Sequence, residues 1–125
     1  MDGTASRVIN RGDIYWVTLD VGSDPEAAIP HPYVVVQDDV FNHSRVHTVV
    51  VCALTSNVRR ANETPGNLLL EPGEGNLPRQ SVVEVSKVSS IEKAKLGEYI
   101  GALSQARVEQ ILSGMRFLQA SWFDR

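Results

Sequence analysis

The chain is poor in cysteine, in net positive charge and in long apolar runs. Cys52 is its one thiol, which excludes a disulfide framework and a cysteine-based metal site. It stands in the apolar run from Val49 to Leu54 and reads as a small buried hydrophobe. Lysine and arginine number 12 against 15 aspartates and glutamates, for a formal net charge of −3. The electrostatic footprint of a dedicated nucleic-acid binder is therefore missing, and only a local basic patch is left open. No apolar stretch is long enough to span a bilayer, and the short polar start from Met1 to Ser6 lacks a signal-peptide core. A soluble, cytoplasmic protein without a membrane partner is expected. The patterns GxSxG and GxGxxG and the P-loop are also absent. His31, His43 and His47 do not have the spacing of helical metal ligands, and the acidic residues are scattered. No metal and no cofactor is expected. His43, in a turn, and His47, opening a strand, read as solvated side chains.

What is present suffices for one ordinary domain. The 125 residues are 42% hydrophobic and 22% charged, enough apolar content for a core. Residues 1–7 are expected to form a flexible tail and 8–122 a single domain. Ile14 to Leu19, Tyr33 to Gln37, His47 to Leu54, Asn67 to Glu71 and Ser81 to Val88 read as strands, with Glu98 to Leu103 as a short sixth. The second and third are apolar on both faces, as central strands are. Ser89 and Glu92 have capping-box spacing, predicting a helical turn over 90–96. Ser104 is placed to cap one long helix over 105–119, whose apolar stripe is Val108, Ile111, Leu112, Met115 and Leu118. Gly114 interrupts that helix, at a cost of about 1 kcal/mol relative to alanine, and only close approach of another backbone would explain it. The pattern predicts a mainly β fold, a small strongly bent antiparallel sheet or partial barrel of five to six strands with a C-terminal helix.

Two long loops follow strands one and three. The first, Asp20 to Pro30, leads into Pro30-His31-Pro32, where each proline restricts the backbone of its predecessor. His31 is thereby held at a strand mouth. The second, Thr55 to Gly66, opens with Thr55 and Ser56 and carries Arg59 and Arg60. In a small barrel two such loops converge at one rim and bring together a histidine, hydroxyls and arginines. The plainer alternative is two ordinary polar loops built from common turn formers. Trp16 is either core or a platform for stacking a base, and the alternation of its neighbours favours core.

Several segments resemble the MazF/PemK-type toxins of type II toxin–antitoxin systems. Arg11-Gly12-Asp13-Ile14-Tyr15-Trp16-Val17 with Leu19-Asp20 is similar to their opening strand, and Gly22-Ser23 to the start of their first loop. Pro32, Val34-Val35-Val36-Gln37, Asp39 and Asn42 resemble the second strand and its following turn. Leu54-Thr55-Ser56 resembles the end of the third strand, and Leu77 with Ser81-Val82-Val83 the entry to the fifth. Lys95-Leu96, Ile100-Gly101 and Leu103-Ser104 resemble the approach to the last helix.

The resemblance implies a homodimer of SH3-like barrels of the MazF/CcdB type. It implies a metal-independent endoribonuclease that cleaves single-stranded RNA, usually mRNA. A ribose 2′-hydroxyl would attack the adjacent phosphate and leave a 2′,3′-cyclic phosphate and a 5′-hydroxyl. It further implies a cognate antitoxin, and DNA reached through that antitoxin in an autoregulatory complex. Thr55 stands at the family's threonine. The family's arginine before the proline of strand two is replaced here by His31, and the first loop looks longer, with Pro25 and Pro30 added. Arginine is a fixed cation, whereas histidine, with an ordinary pKa of about 6.5, takes or gives a proton near neutrality. The expected catalytic pair is His31 and Thr55, and the expected RNA-binding set is Arg59, Arg60, Ser56, Arg79 and Trp16. Two alternatives lack catalysis. One is a CcdB-like toxin binding gyrase through the aromatic end from Phe117 to Phe123. The other is an inactive module binding RNA or antitoxin.

Overall fold

Runs of β-branched and aromatic residues become six strands of one sheet. The structure, a computed structural model, describes residues 7–19 and 29–123. The strands are β1 (Asp13–Val17), β2 (His31–Val35), β3 (Thr48–Thr55), β4 (Leu68–Leu70), β5 (Ser81–Glu92) and β6 (Tyr99–Ala102). A one-turn helix α1 (Asp39–Asn42) lies between β2 and β3, and helix α2 (Gln105–Phe123) follows β6. The order across the sheet is β4-β5-β3-β2-β1-β6, and every pair is antiparallel. The sheet curls into a half-barrel closed off by the C-terminal helix, as the sequence pattern predicts. The first long loop falls largely on residues 20–28, outside those described.

The central strands are apolar on both faces because both faces are covered. Ile14, Val34, Cys52, Leu54, Val83 and Ile111 share one cluster, while Tyr15, Val17, Tyr33, Val35, Val49 and Val51 share the other. Such burial contributes about 25 cal/mol for each Å² of apolar surface removed from water.

The length of β5 corrects one expectation. The strand continues through Glu92, and only Lys93–Lys95 forms a helical turn. Ser89 and Ile91 pair with Val51 and Val49 of β3, so a long-range ladder prevails over the local capping signal of Ser89 and Glu92. The register shifts between Cys52, opposite Val88, and Ala53, opposite Glu84. The excess residues 85–87 bend β5 and let it follow the whole of β3. β2 likewise starts earlier than expected, at His31, which pairs with Val17. The polar stretch after β2 is not only turn: Asp38 caps α1 by accepting the Val40 amide at 2.8 Å.

Ser104 Oγ accepts the Arg107 amide at 3.2 Å, as its place before α2 predicts. Ile111 faces the core, with Val108 and Met115 packed beside it. The mid-helix glycine has a physical cause. A Cβ on Gly114 would lie 2.5 Å from the carbonyl oxygen of Gly66, itself at φ +96°. Only two glycines permit that crossing of helix and loop. The turn Glu74–Asn76 fills the gap between the two ends of the curl: Gly75 packs on Ile14 and Leu103, and Asn76 Nδ2 donates to Ile100 O at 3.0 Å. No helix among the described residues is long and apolar enough to cross a membrane.

Candidate functional site at the sheet rim

β1 ends, β2 begins, β3 ends and β5 begins at the same edge of the sheet. Thr55 pairs with Val82 across β3 and β5, and His31 with Val17 across β2 and β1. β2 and β3 pair through Tyr33 and Ala53, Val34 and Cys52, and Val35 and Val51. Two residues further towards the rim, that register sets His31 across from Thr55. Both side chains then lie on one face, since alternate residues of a strand share a face.

A pocket of about 320 Å³ opens at this rim. Its polar lining is His31, Thr55, Ser56, Arg79 and Ser81, and its apolar wall includes Trp16, Pro32, Leu77 and Pro78. The two loop ends thus meet at one rim, the arrangement that the sequence leaves open beside two ordinary polar loops. Trp16 is 41% exposed, which corrects the core reading of that residue. The alternation is real, but α2 lies over β5 and β4. It leaves Trp16 uncovered on β1, with its face turned to the pocket. A larger cavity of about 510 Å³ lies at the opposite end of the sheet. Its lysine, Lys93, already gives its ammonium to the carbonyls of Phe41, Asn42 and Ser44 at 3.0–3.3 Å. That group is a structural clamp on the end of α1.

The Thr55 hydroxyl is oriented. Its oxygen accepts the Asn57 amide at 3.2 Å, which leaves the hydroxyl proton available to another acceptor. Arg79 is exposed at the pocket mouth, and the Ser81 hydroxyl donates to its carbonyl at 3.0 Å. The other two arginines stand elsewhere. Neither Arg59 nor Arg60 lines the pocket. Arg59 is exposed on the turn Val58–Asn62, while Arg60 lies 3.6 Å from both Glu63 and Glu84.

Glu84 is the residue that sequence reasoning passed over. It is a carboxylate only 6% exposed, with Lys87 as its second cation at 3.3 Å. Its signal was a charge inside the apolar run Val82 to Val85. Burial, and then the Glu84 charge, push the Cys52 thiol up to about 12. Burial raises the Tyr33 hydroxyl too, with Cys52 and Glu84 adding to it. Both remain protonated at neutral pH, so neither supplies an anionic nucleophile. Among the described residues, no three histidine, cysteine or acidic side chains group as a metal site.

The family model of the PemK-like, MazF-like toxin of type II toxin–antitoxin systems matches residues 10–118. The chain belongs to this toxin family. Endoribonuclease MazF6 of Mycobacterium tuberculosis is 35% identical over 109 residues, which cover 87% of this chain and 95% of that protein. Endoribonuclease MazF of Staphylococcus epidermidis is 27% identical over 104 residues, covering 83% and 85%. Two solved structures share the fold of this family member. A crystal structure of MazF from Deinococcus radiodurans superposes with a TM-score of 0.71 at 17% identity, covering 92% of this chain and 99% of that one. A mycobacterial endoribonuclease in complex with its cognate antitoxin gives 0.70 at 20% identity, covering 90% and 95%.

Proposed function

We propose that this toxin-family chain is an endoribonuclease that cuts single-stranded RNA and is held in check by a cognate antitoxin. The observation that carries the reading is the rim pocket, which joins a proton-transfer group, a hydroxyl donor and a cation beside an exposed tryptophan. The similarity to proteins named endoribonucleases supports it.

Cleavage begins when a ribose 2′-hydroxyl attacks the adjacent phosphorus. The 2′-proton leaves to a base, the new O2′–P bond forms, and the P–O5′ bond breaks. O5′ departs with a proton, leaving a 2′,3′-cyclic phosphate. His31 supplies the acid–base step, as the general base or the general acid. Thr55 donates its hydroxyl proton to a non-bridging phosphate oxygen, or holds the 2′-hydroxyl, because its own oxygen is fixed by the Asn57 amide. Arg79 gives the charge that His31 cannot hold permanently. Ser56 contributes a further hydrogen bond, and Trp16 stacks on a base. A donor aimed at the developing charge contributes roughly 10²-fold in rate.

The cytoplasm, where mRNA and antitoxin occur together, is the compartment this reading implies. A homodimer, and DNA contact through the antitoxin, complete the partners proposed. The gyrase-binding alternative is the weaker, since the relatives are named for RNA cleavage.

The test is incubation of purified protein with mixed-sequence single-stranded RNA in chelator, with product end groups identified. Wild type yields 2′,3′-cyclic phosphate ends. His31→Ala loses about 10²- to 10⁴-fold in rate, and Thr55→Val loses activity where Thr55→Ser keeps it. Full activity in His31→Ala removes that residue from the mechanism. No cleavage by the wild type over many sequences sinks the enzyme reading.

A further inference from the structure

A carboxylate buried in an otherwise apolar strand needs a reason. Val82, Val83 and Val85 surround Glu84 in β5 and are essentially inaccessible. Taking an ion out of water costs several kcal/mol unless partners compensate it, and an apolar residue of similar size often serves stability as well or better. Glu84 Oε2 has two partners, Lys87 Nζ at 3.3 Å and Arg60 Nη1 at 3.6 Å. Lys87 is half exposed and lies near Glu84 in sequence. Arg60 comes from the second long loop, the one that begins at Thr55.

That loop is tied down along a continuous path. Asn57 donates its amide to Thr55 Oγ1 at 3.2 Å. Arg60 donates its amide to Asn57 O at 3.1 Å. The Arg60 carbonyl accepts Asn67 Nδ2 at 2.8 Å, and Asn67 Oδ1 accepts the Val85 amide at 3.0 Å. The Arg60 guanidinium reaches Glu84, two residues along β5 from Val82, which pairs with Thr55. The path therefore closes into a ring: Thr55, Asn57, Arg60, Glu84, Val82 and back to Thr55. A cation that faces Glu84 within this ring, and Glu63 beside it at 3.6 Å, is placed for holding the loop.

We propose that Glu84 is a positioning residue, which acts through Arg60 to lock the loop and so aim the Thr55 hydroxyl into the rim pocket. Arg60 is then an internal latch and not a phosphate contact. The inference rests on the endoribonuclease reading for its kinetic test and has a structural readout that does not.

Kinetics on a single-stranded RNA oligonucleotide separate the roles. Glu84→Gln and Arg60→Met each lower kcat about tenfold with KM nearly unchanged, as a displaced group does. The double variant is no worse than either single one, because both open the same ring. Arg60→Lys keeps most of the activity, since a cation still faces Glu84. If Arg60 instead grips RNA, Arg60→Met weakens binding and lowers the salt slope by about one. Glu84→Gln then leaves kcat intact, and the proposal is overturned. Amide hydrogen exchange decides the latch even if the wild type cuts no RNA. The amides of Arg60 and Glu63 exchange faster in Arg60→Met and in Glu84→Gln while the β3 amides stay protected. Unchanged exchange in both variants refutes the latch on its own.

Discussion

Glu74 and Arg107 meet through two parallel hydrogen bonds, Nε to Oε1 and Nη2 to Oε2, each 2.8 Å long. The pair joins the turn before β5 to the first part of α2. Glu74 Oε2 also accepts the Glu71 amide at 2.7 Å. The turn so held leads directly into Leu77, Pro78 and Arg79, one wall of the rim pocket. Fork-to-fork geometry fixes direction as well as distance, which a lysine in place of Arg107 would not reproduce.

This pair carries a pH dependence. The Arg107 hydrogen bonds hold the Glu74 carboxyl below the usual carboxylate range, against the opposing effect of desolvation. A group whose folded pKa is depressed stabilises the fold above its unfolded pKa, here about 4.3, and loses that contribution as pH falls through the folded value. The two side chains remain about a quarter exposed, so solvent screens them. Glu74→Gln is expected to cost about 1 kcal/mol at neutral pH. Urea midpoints at decreasing pH check the sign: the gap between wild type and variant narrows below about pH 4. A gap of constant size would show that the lost contribution is not the carboxylate charge.

Gly114→Ala tests two opposed effects. Alanine gains about 1 kcal/mol in helix propensity. Its Cβ would meet the Gly66 carbonyl oxygen at 2.5 Å, a backbone atom that cannot turn aside. Overpacking of that kind costs about 1–3 kcal/mol, so the steric term wins and the melting temperature falls. Ser113→Ala, one residue away and exposed, gains propensity without the clash and serves as the control. A stabilised Gly114→Ala would mean that helix and loop separate more easily than their contact suggests.

Trp16→Ala is expected to weaken RNA binding by about 1–3 kcal/mol, the usual worth of one base stacked on an aromatic ring. Trp16→Phe keeps most of the affinity, and neither change should unfold a residue 41% exposed. Fluorescence anisotropy with a labelled single strand measures both. Equal affinity in Trp16→Ala would remove the ring from the RNA site.

Local chemistry made most of the strands legible. Ile14 to Val17, Val49 to Leu54 and Val82 to Val85 are dominated by β-branched, aromatic and other apolar residues, so their extended conformation hardly depends on distant neighbours. The misses all came from partners distant in sequence. Ser89 and Glu92 carry a valid capping signal, but Val51 and Val49 offered them a ladder instead. Alternation gives the face on which Trp16 lies, yet nothing near Trp16 says that α2 covers the other end of the sheet. The pocket itself was legible as two loop ends carrying His31 and Thr55, because strand direction alone brings those ends together. Arg60 differs: it reads as a surface cation until Glu84, far along the chain, is placed beneath it.

The pairing of β1 with β6 sets Asp13 opposite Ala102, so the sheet joins the beginning of the chain to nearly its end. Contacts so distant form only after the intervening loops have closed. Ile100 and Arg79, both on the pocket wall, are also made late in synthesis. A nascent chain that already displays His31 and Thr55 still lacks the strand beside Trp16 and the cation of the pocket lining, Arg79. The site is therefore born incomplete. A polypeptide interrupted before β6 would leave the ribosome without an assembled pocket.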